Sequence, residues 1–168
     1  LYTTVANVNF FLEKVAEIPV EKFSDNRKKE LLAEGYFLRA ICYYYLAMAW
    51  GDVPLVLELK TGGPEDNPIA KSSHSEVLTQ VKTDLTIAAN DLPPILENYT
   101  DATETNLRKG RASKWAAKAY LARLALMEED WATALALSDE IINSGFYPLA
   151  TSWRSIFEEP MNSSESIF

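Results

Sequence analysis

Residues 110–147, GRASKWAAKAYLARLALMEEDWATALALSDEIINSGFY, decide the fold class of this chain. The first half carries apolar residues at steps of three and four, the spacing of one helix face: Trp115, Ala119, Ala122 and Leu126. A second apolar face follows the acidic turn at residues 128–130, and Gly145 ends it. Frequent alanine lets two helix backbones approach closely. The stretch therefore predicts antiparallel helices at residues 111–128 and 131–144, with patterning that partly matches a tetratricopeptide repeat.

The rest of the chain shows the same helical spacing, which predicts further helices at residues 2–18, 26–50 and 74–92. Ser73 and Glu76 have the spacing of a helix-capping box, and Gly51 follows the longest helix. Loops at residues 51–73 and 93–110 connect the helices, an irregular tail covers residues 145–168, and no strand pattern of useful length occurs. We predict one all-α domain over residues 1–168, built from antiparallel helical hairpins in a tetratricopeptide-like superhelix.

Charge and composition exclude several classes of protein. The chain has 16 Lys and Arg against 24 Asp and Glu, a net charge of −8, which argues against binding nucleic acid because a phosphate-binding face must be basic. Because the chain has a single cysteine, Cys42, it cannot form a disulfide framework. The sequence also contains no apolar run of about 18 residues, the length that would predict a membrane-spanning helix. Because the sequence does not begin with Met, we expect it to be a segment of a longer protein.

Catalysis finds little support in the sequence. The only histidine, His74, lies in the predicted capping turn, and no nucleophile elbow, phosphate-binding glycine loop or zinc-binding H-E-x-x-H motif is present. Carboxylate pairs of the kind used in glycoside hydrolysis are available by chance in a chain this acidic. We therefore expect neither enzymatic activity nor a cofactor nor a metal site.

Arg39 lies within the apolar stretch of the long helix at residues 26–50. A buried guanidinium requires a carboxylate partner to offset the loss of hydration. Asp84 and Asp139 are the candidate partners. The same helix carries apolar residues on two sides, so neighbours are expected to pack on both.

Four stretches match the signatures of one protein family. The most specific is FLRA at residues 37–40, preceded by Glu34 and followed by GDVPLV at residues 51–56. The others are EV, DL and LP within residues 76–93, GRA at residues 110–112 with INSG at residues 142–145, and SESIF at residues 164–168. In this combination the chain resembles the SusD/RagB family of outer-membrane nutrient-binding lipoproteins of Bacteroidetes. The resemblance covers nearly the whole chain, but only about the helical half of a typical member.

This resemblance implies a surface-exposed protein of the outer membrane that binds glycans or other nutrients and acts as a lid on a SusC-like TonB-dependent transporter. The membrane is contacted only through a lipid anchor that lies outside this segment, since Cys42 is in the middle of a helix. We expect structural roles for seven residues of these stretches and helix ends: Arg39, Gly51, Asp52, Pro54, Asp84, Gly110 and Gly145.

Sugar binding requires exposed aromatic rings, which pack on the CH face of a sugar, and nearby polar groups for its hydroxyls. The candidates are Tyr2, Asn7, Tyr43, Trp50 and Tyr99. Tyr43, Tyr44 and Tyr45 occupy successive positions around one helix, so they face different directions, and Tyr43 is expected to reach solvent. For Trp50, core packing is favoured over a role as a sugar platform.

Two other functions stay open. The first alternative is a helical-repeat scaffold that binds peptides or protein partners in its groove. The second is a hydrolase, for which the sequence offers no specific motif.

Overall fold

A computed structural model describes residues 1–24, 26–59, 69–94, 111–158 and 165–167 of the chain. Its elements are α1 (Tyr2–Glu17), α2 (Arg27–Trp50), β1 (Val53–Pro54), β2 (Lys71–Ser72), α3 (His74–Asp91), α4 (Lys114–Met127), α5 (Trp131–Asn143) and α6 (Ser155–Glu158), with a 3-10 turn at Val20–Lys22. The all-helical class is confirmed. The chain divides into two compact units, Leu1–Asp91 and Leu92–Phe168, and that they form one domain stays a prediction.

The first unit is organised around α2, which packs against α1 on one side and α3 on the other. Its inward positions are buried on both sides, as the two apolar faces of this helix predicted. Gly35 lies directly against α1, because an added Cβ atom would lie 2.7 Å from the Cδ2 atom of Leu12. The absence of a side chain at this position lets the two helices meet.

The ends of the helices follow the local sequence signals. At the N-terminus of α3, the Ser73 backbone N–H donates to Glu76 Oε2 at 2.8 Å, and the Glu76 N–H donates to Ser73 Oγ at 3.3 Å, which is the reciprocal pattern of a capping box. Gly51 after α2 and Gly145 after α5 have φ angles of 69° and 72°, in the left-handed region that favours glycine.

One small sheet lies inside the predicted loop at residues 51–73. β1 and β2 form an antiparallel pair in which Val53 lies opposite Ser72 and Pro54 opposite Lys71. A two-residue strand carries too little periodicity to be recognised in the sequence. The pair joins the turn after α2 to the start of α3.

The second unit contains the helical hairpin of α4 and α5, as predicted from residues 110–147. Ser113 Oγ accepts from the Ala116 N–H at 3.1 Å, and Asp130 Oδ1 accepts from the Thr133 N–H at 3.1 Å, so a side chain caps each helix. Between the helices Glu129 has a φ of 59°, which closes the turn. The tail predicted as irregular contains the short helix α6, and Gly110 lies outside the described residues.

Candidate functional site

The segment at residues 53–58 is held against the first unit by side chains of the helices. The Tyr2 hydroxyl donates to the Pro54 carbonyl oxygen at 2.8 Å, and Asn9 Nδ2 donates to the Val56 carbonyl oxygen at 2.9 Å. The Tyr43 hydroxyl accepts from the Val56 N–H at 2.6 Å and donates to its carbonyl oxygen at 3.0 Å. Side chains on α1 and α2 therefore satisfy backbone groups of a segment in which only Val53 and Pro54 belong to a strand.

Arg39 is the centre of this polar network. Its Nε and Nη2 atoms donate to the Asp84 carboxylate at 2.7 and 2.9 Å, the two-pronged geometry that a guanidinium favours. Nη1 donates to Asn9 Oδ1 and to the Leu57 carbonyl oxygen, both at 3.2 Å, while Gln80 Nε2 donates to Asp84 Oδ1 at 2.9 Å. Asp84 is thus the partner of Arg39. The other candidate, Asp139, lies exposed on α5 in the second unit.

The turn after α2 is joined to α3 by Asp52. Its Oδ1 atom accepts from the His74 N–H at 2.8 Å, at the first residue of α3. Gly51 supplies the backbone conformation that brings Asp52 there, since its φ of 69° is costly for other residues. Gly51, Asp52 and Pro54 thus all make contacts at this turn, and their structural roles stay a prediction.

The expectation that Tyr43 reaches solvent is wrong. Tyr43 is fully buried, its ring lies edge-on to that of Tyr2 with centroids 6.5 Å apart, and its hydroxyl is engaged by Val56. The folded-back segment provides the polar partners that let a tyrosine be buried on this side of α2. Tyr45 is the exposed tyrosine of the three, while Tyr44 is buried. Burial raises the pKa of Tyr43 to about 12, with the Val56 backbone hydrogen bond opposing that shift.

The remaining sugar-binding candidates differ in accessibility. Trp50 is 66% exposed at the C-terminal end of α2, so the expected core packing is wrong. Asn7 is exposed on the outer side of α1, and Tyr2 is partly exposed but uses its hydroxyl to hold Pro54. Tyr99 lies outside the described residues.

Phe10 on α1 is a further exposed aromatic residue that the sequence reasoning did not select, and Lys14 Nζ lies 6.0 Å from the centre of its ring. Its position on the polar side of α1, among Asn7 and Lys14, is the signal that could have identified it. Trp50 and Tyr45 share α2, while Asn7 and Phe10 share α1. The structure therefore distributes these groups over two helices.

The described residues contain no group of three or more His, Cys, Asp or Glu side chains arranged to hold a metal ion. None of the described helices is both long enough and apolar enough to cross a bilayer. Cys42 is a buried free thiol whose pKa is raised by burial, which disfavours the reactive thiolate.

Comparison with known proteins settles the family. Residues 1–126 match the model of a SusD-like family described as "Starch-binding associating with outer membrane". The chain belongs to this SusD-like family. The family membership predicted from the FLRA and GDVPLV signatures is therefore confirmed. The matched residues contain the whole of the first unit.

Individual relatives agree with this assignment. SusD-like protein P25 of Formosa agariphila is 29% identical over 94% of the chain, which spans 28% of that protein. A SusD-like carbohydrate-binding protein from Bacteroides fragilis has a solved structure with a TM-score of 0.76 at 31% identity, covering 90% of this chain and 28% of that one. A laminarin-binding SusD-like protein gives a TM-score of 0.69 at 28% identity, covering 90% and 30% respectively. The chain thus spans less than a third of each relative.

Proposed function

We propose that this protein binds glycans at the surface of the outer membrane and delivers them to a SusC-like TonB-dependent transporter, without cleaving them. The observation that carries the proposal is the family match over residues 1–126, because that family is described as starch-binding and associated with the outer membrane. Two similar proteins of known structure, described as carbohydrate-binding and laminarin-binding, support the ligand class.

Within the described residues we assign the main sugar contact to Trp50. Its ring is exposed, and it stands on the last residue of a helix that is buried along most of its length. The backbone that follows is held by the Asp52 contact with the His74 N–H. A rigidly held aromatic ring loses little conformational freedom when a sugar packs on it, which favours binding. Asn7, with its exposed amide, is the candidate partner for sugar hydroxyls.

Calorimetric titration of the full-length protein with a panel of starch, laminarin and other oligosaccharides tests the ligand class. We expect saturable binding of at least one glycan, and no release of reducing sugar on prolonged incubation. Loss of one aromatic contact is worth about 1 kcal/mol, so Trp50→Ala should weaken that binding about fivefold. Trp153→Ala, which removes another exposed tryptophan in the second unit, is the matched control and should bind as the unaltered protein does.

Failure to bind any glycan of the panel would refute the proposed function and favour the peptide-binding alternative. Binding that survives Trp50→Ala unchanged would refute only the assignment of Trp50. Hand-over to a transporter is tested separately, by affinity purification of the tagged full-length protein from detergent-solubilised outer membranes. We expect a TonB-dependent barrel to co-purify, and its absence would contradict this part of the proposal.

A further inference from the structure

The end of α2 that carries Trp50 also carries negative charge. Asp52 follows Trp50 by two residues, so the Cα atoms of the two residues are at most about 7 Å apart, and both residues are exposed. The Oδ1 atom of Asp52 accepts from the His74 N–H at 2.8 Å, which fixes the carboxylate at this turn. A ligand that covers the Trp50 ring therefore lies close to a carboxylate whose position is set by the fold.

Two further groups add to this charge. The carbonyl groups at the C-terminal end of α2 carry a partial negative charge, and the last turn of this helix contains no basic residue that would offset it. Glu76, exposed on the first turn of α3, is a second carboxylate. Hydrogen bonds from the Ser73 backbone and side chain hold the pKa of Glu76 below its usual value, and the negative charge of Asp52 opposes this shift. The two carboxylates thus lie near enough to repel each other.

Acidic side chains outnumber basic ones around this turn. The described residues on either side of it, 50–58 and 69–76, contain three carboxylates and one lysine, which are Asp52, Glu58, Glu76 and Lys71. The positive end of the α3 helix dipole does not reverse this balance, because the Asp52 carboxylate already accepts from the N–H of the first residue of α3. A negatively charged ligand at Trp50 therefore approaches a surface of its own sign.

We propose that Asp52 makes the Trp50 contact selective for uncharged glycans, so that sugars bearing carboxylate or sulfate groups bind there more weakly. This inference rests on the proposed assignment of Trp50 as a sugar contact. The carbon face of an uncharged sugar packs on the indole with no electrostatic penalty. A carboxylated sugar at the same place brings like charges together, and such repulsion lowers the affinity for the wrong ligand without any change in the contact with the right one.

Calorimetric titration of the full-length protein with matched pairs of oligosaccharides tests this selectivity. Each pair consists of maltoheptaose or laminariheptaose and the same oligosaccharide with its primary alcohols oxidised to carboxylates. At about 0.1 M salt, where charges interact over about 10 Å, we expect the oxidised member to bind at least about fivefold more weakly. At about 1 M salt, where this distance falls to about 3 Å, the difference should shrink to less than about twofold.

Asp52→Asn identifies the charge responsible. The substitution removes the negative charge but keeps an oxygen that can accept from the His74 N–H, so the turn retains its contact with α3. At about 0.1 M salt it should narrow the gap in affinity between the two members of a pair about threefold. Asp139→Asn, the same change at an exposed acid of α5, is the matched control and should leave the gap as it is. Far-UV circular dichroism confirms that each variant is folded.

Oxidised oligosaccharides that bind as tightly as their uncharged counterparts would overturn this selectivity, and so would a gap that Asp52→Asn leaves unchanged. Absence of binding by both members of both pairs would also overturn it, since no uncharged sugar is then bound. The proposed function fails on a different result, which is that no glycan of the wider panel binds.

Discussion

Removing either partner of the Arg39–Asp84 pair should strongly destabilise the first unit. Arg39 is 7% exposed and Asp84 1% exposed, so each charge relies on the other for the interactions that water would supply. Arg39→Met leaves the Asp84 carboxylate buried, with the Gln80 amide as its remaining hydrogen-bond partner among the described residues. We expect the free energy of unfolding to fall by about 3 to 5 kcal/mol.

Asp84→Leu should lower the free energy of unfolding by about 3 kcal/mol, because Arg39 loses its counter-charge. Arg39 still donates to the Asn9 and Leu57 oxygens, which limits the loss. The double variant Arg39→Met/Asp84→Leu buries no unpaired charge. It should therefore be less destabilised than the sum of the single variants by at least about 2 kcal/mol. Some loss persists, since the Asn9 and Leu57 oxygens no longer have the guanidinium as donor.

Urea denaturation followed by far-UV circular dichroism provides the free energies of unfolding of the unaltered protein, the two single variants and the double variant, which together form a double-mutant cycle. If a single variant does not fold, Asp84→Asn, which keeps the shape of the side chain, takes the place of Asp84→Leu. The parallel cycle of Arg39→Met with Asp139→Leu is the control, and its effects should add within about 0.5 kcal/mol because the exposed Asp139 shares no hydrogen-bond partner with Arg39 among the described residues. Additivity of the Arg39 and Asp84 substitutions would refute the coupling.

Two further predictions concern α2. Burial raises the pKa of Tyr43 from 10.0 to about 12, so the folded state favours the protonated phenol. The resulting contribution to the free energy of unfolding is fully present below about pH 10 and is lost as the pH rises through about 12. Between about pH 9 and 11 the unaltered protein should lose about 1.4 kcal/mol more stability than Tyr43→Phe, measured by urea denaturation, and equal losses would contradict the assignment. Gly35→Ala should destabilise by about 1 kcal/mol, since the clash with the buried Leu12 outweighs the gain in helix propensity of about 1 kcal/mol. In a Leu12→Ala background thermal unfolding should show the substitution to be stabilising, and an unchanged penalty there would exclude Leu12 as its cause.

The helical framework could be predicted from the sequence because its signals are local. Periodicity, the Ser73–Glu76 box and the glycines at positions 51 and 145 all act within one or two turns of chain. The partner of Arg39 was predictable as one of two carboxylates, because a buried cation in an apolar helix requires one. Choosing Asp84 over Asp139 required the packing of α3 against α2.

The accessibility of individual aromatic residues could not be predicted in the same way. Tyr43 and Tyr45 have the same chemistry and lie on the same helix, yet one is buried and the other exposed. The difference arises from the segment at residues 53–58, whose backbone supplies hydrogen-bond partners to Tyr43. Nothing in the local pattern of α2 indicates where that segment folds back. The predicted core packing of Trp50 was wrong because the helical pattern does not show where the core ends along α2, and Trp50, the last residue of this helix, is exposed.

The hydrogen bonds at residues 53–58 have an asymmetry that bears on how this region can change in sequence. The segment contributes main-chain groups, which nearly every amino acid has: carbonyl oxygens that accept from Asn9 and Arg39, and the Val56 N–H that donates to Tyr43. The groups that meet them are particular side chains on the helices. Substitutions of Leu55, Leu57 or Glu58 therefore leave these acceptors in place. The course of the segment is therefore set largely by residues outside it, and the side chains at half-buried positions such as Leu55 can change while its path over the helices is retained, whereas Val53 is itself part of the core.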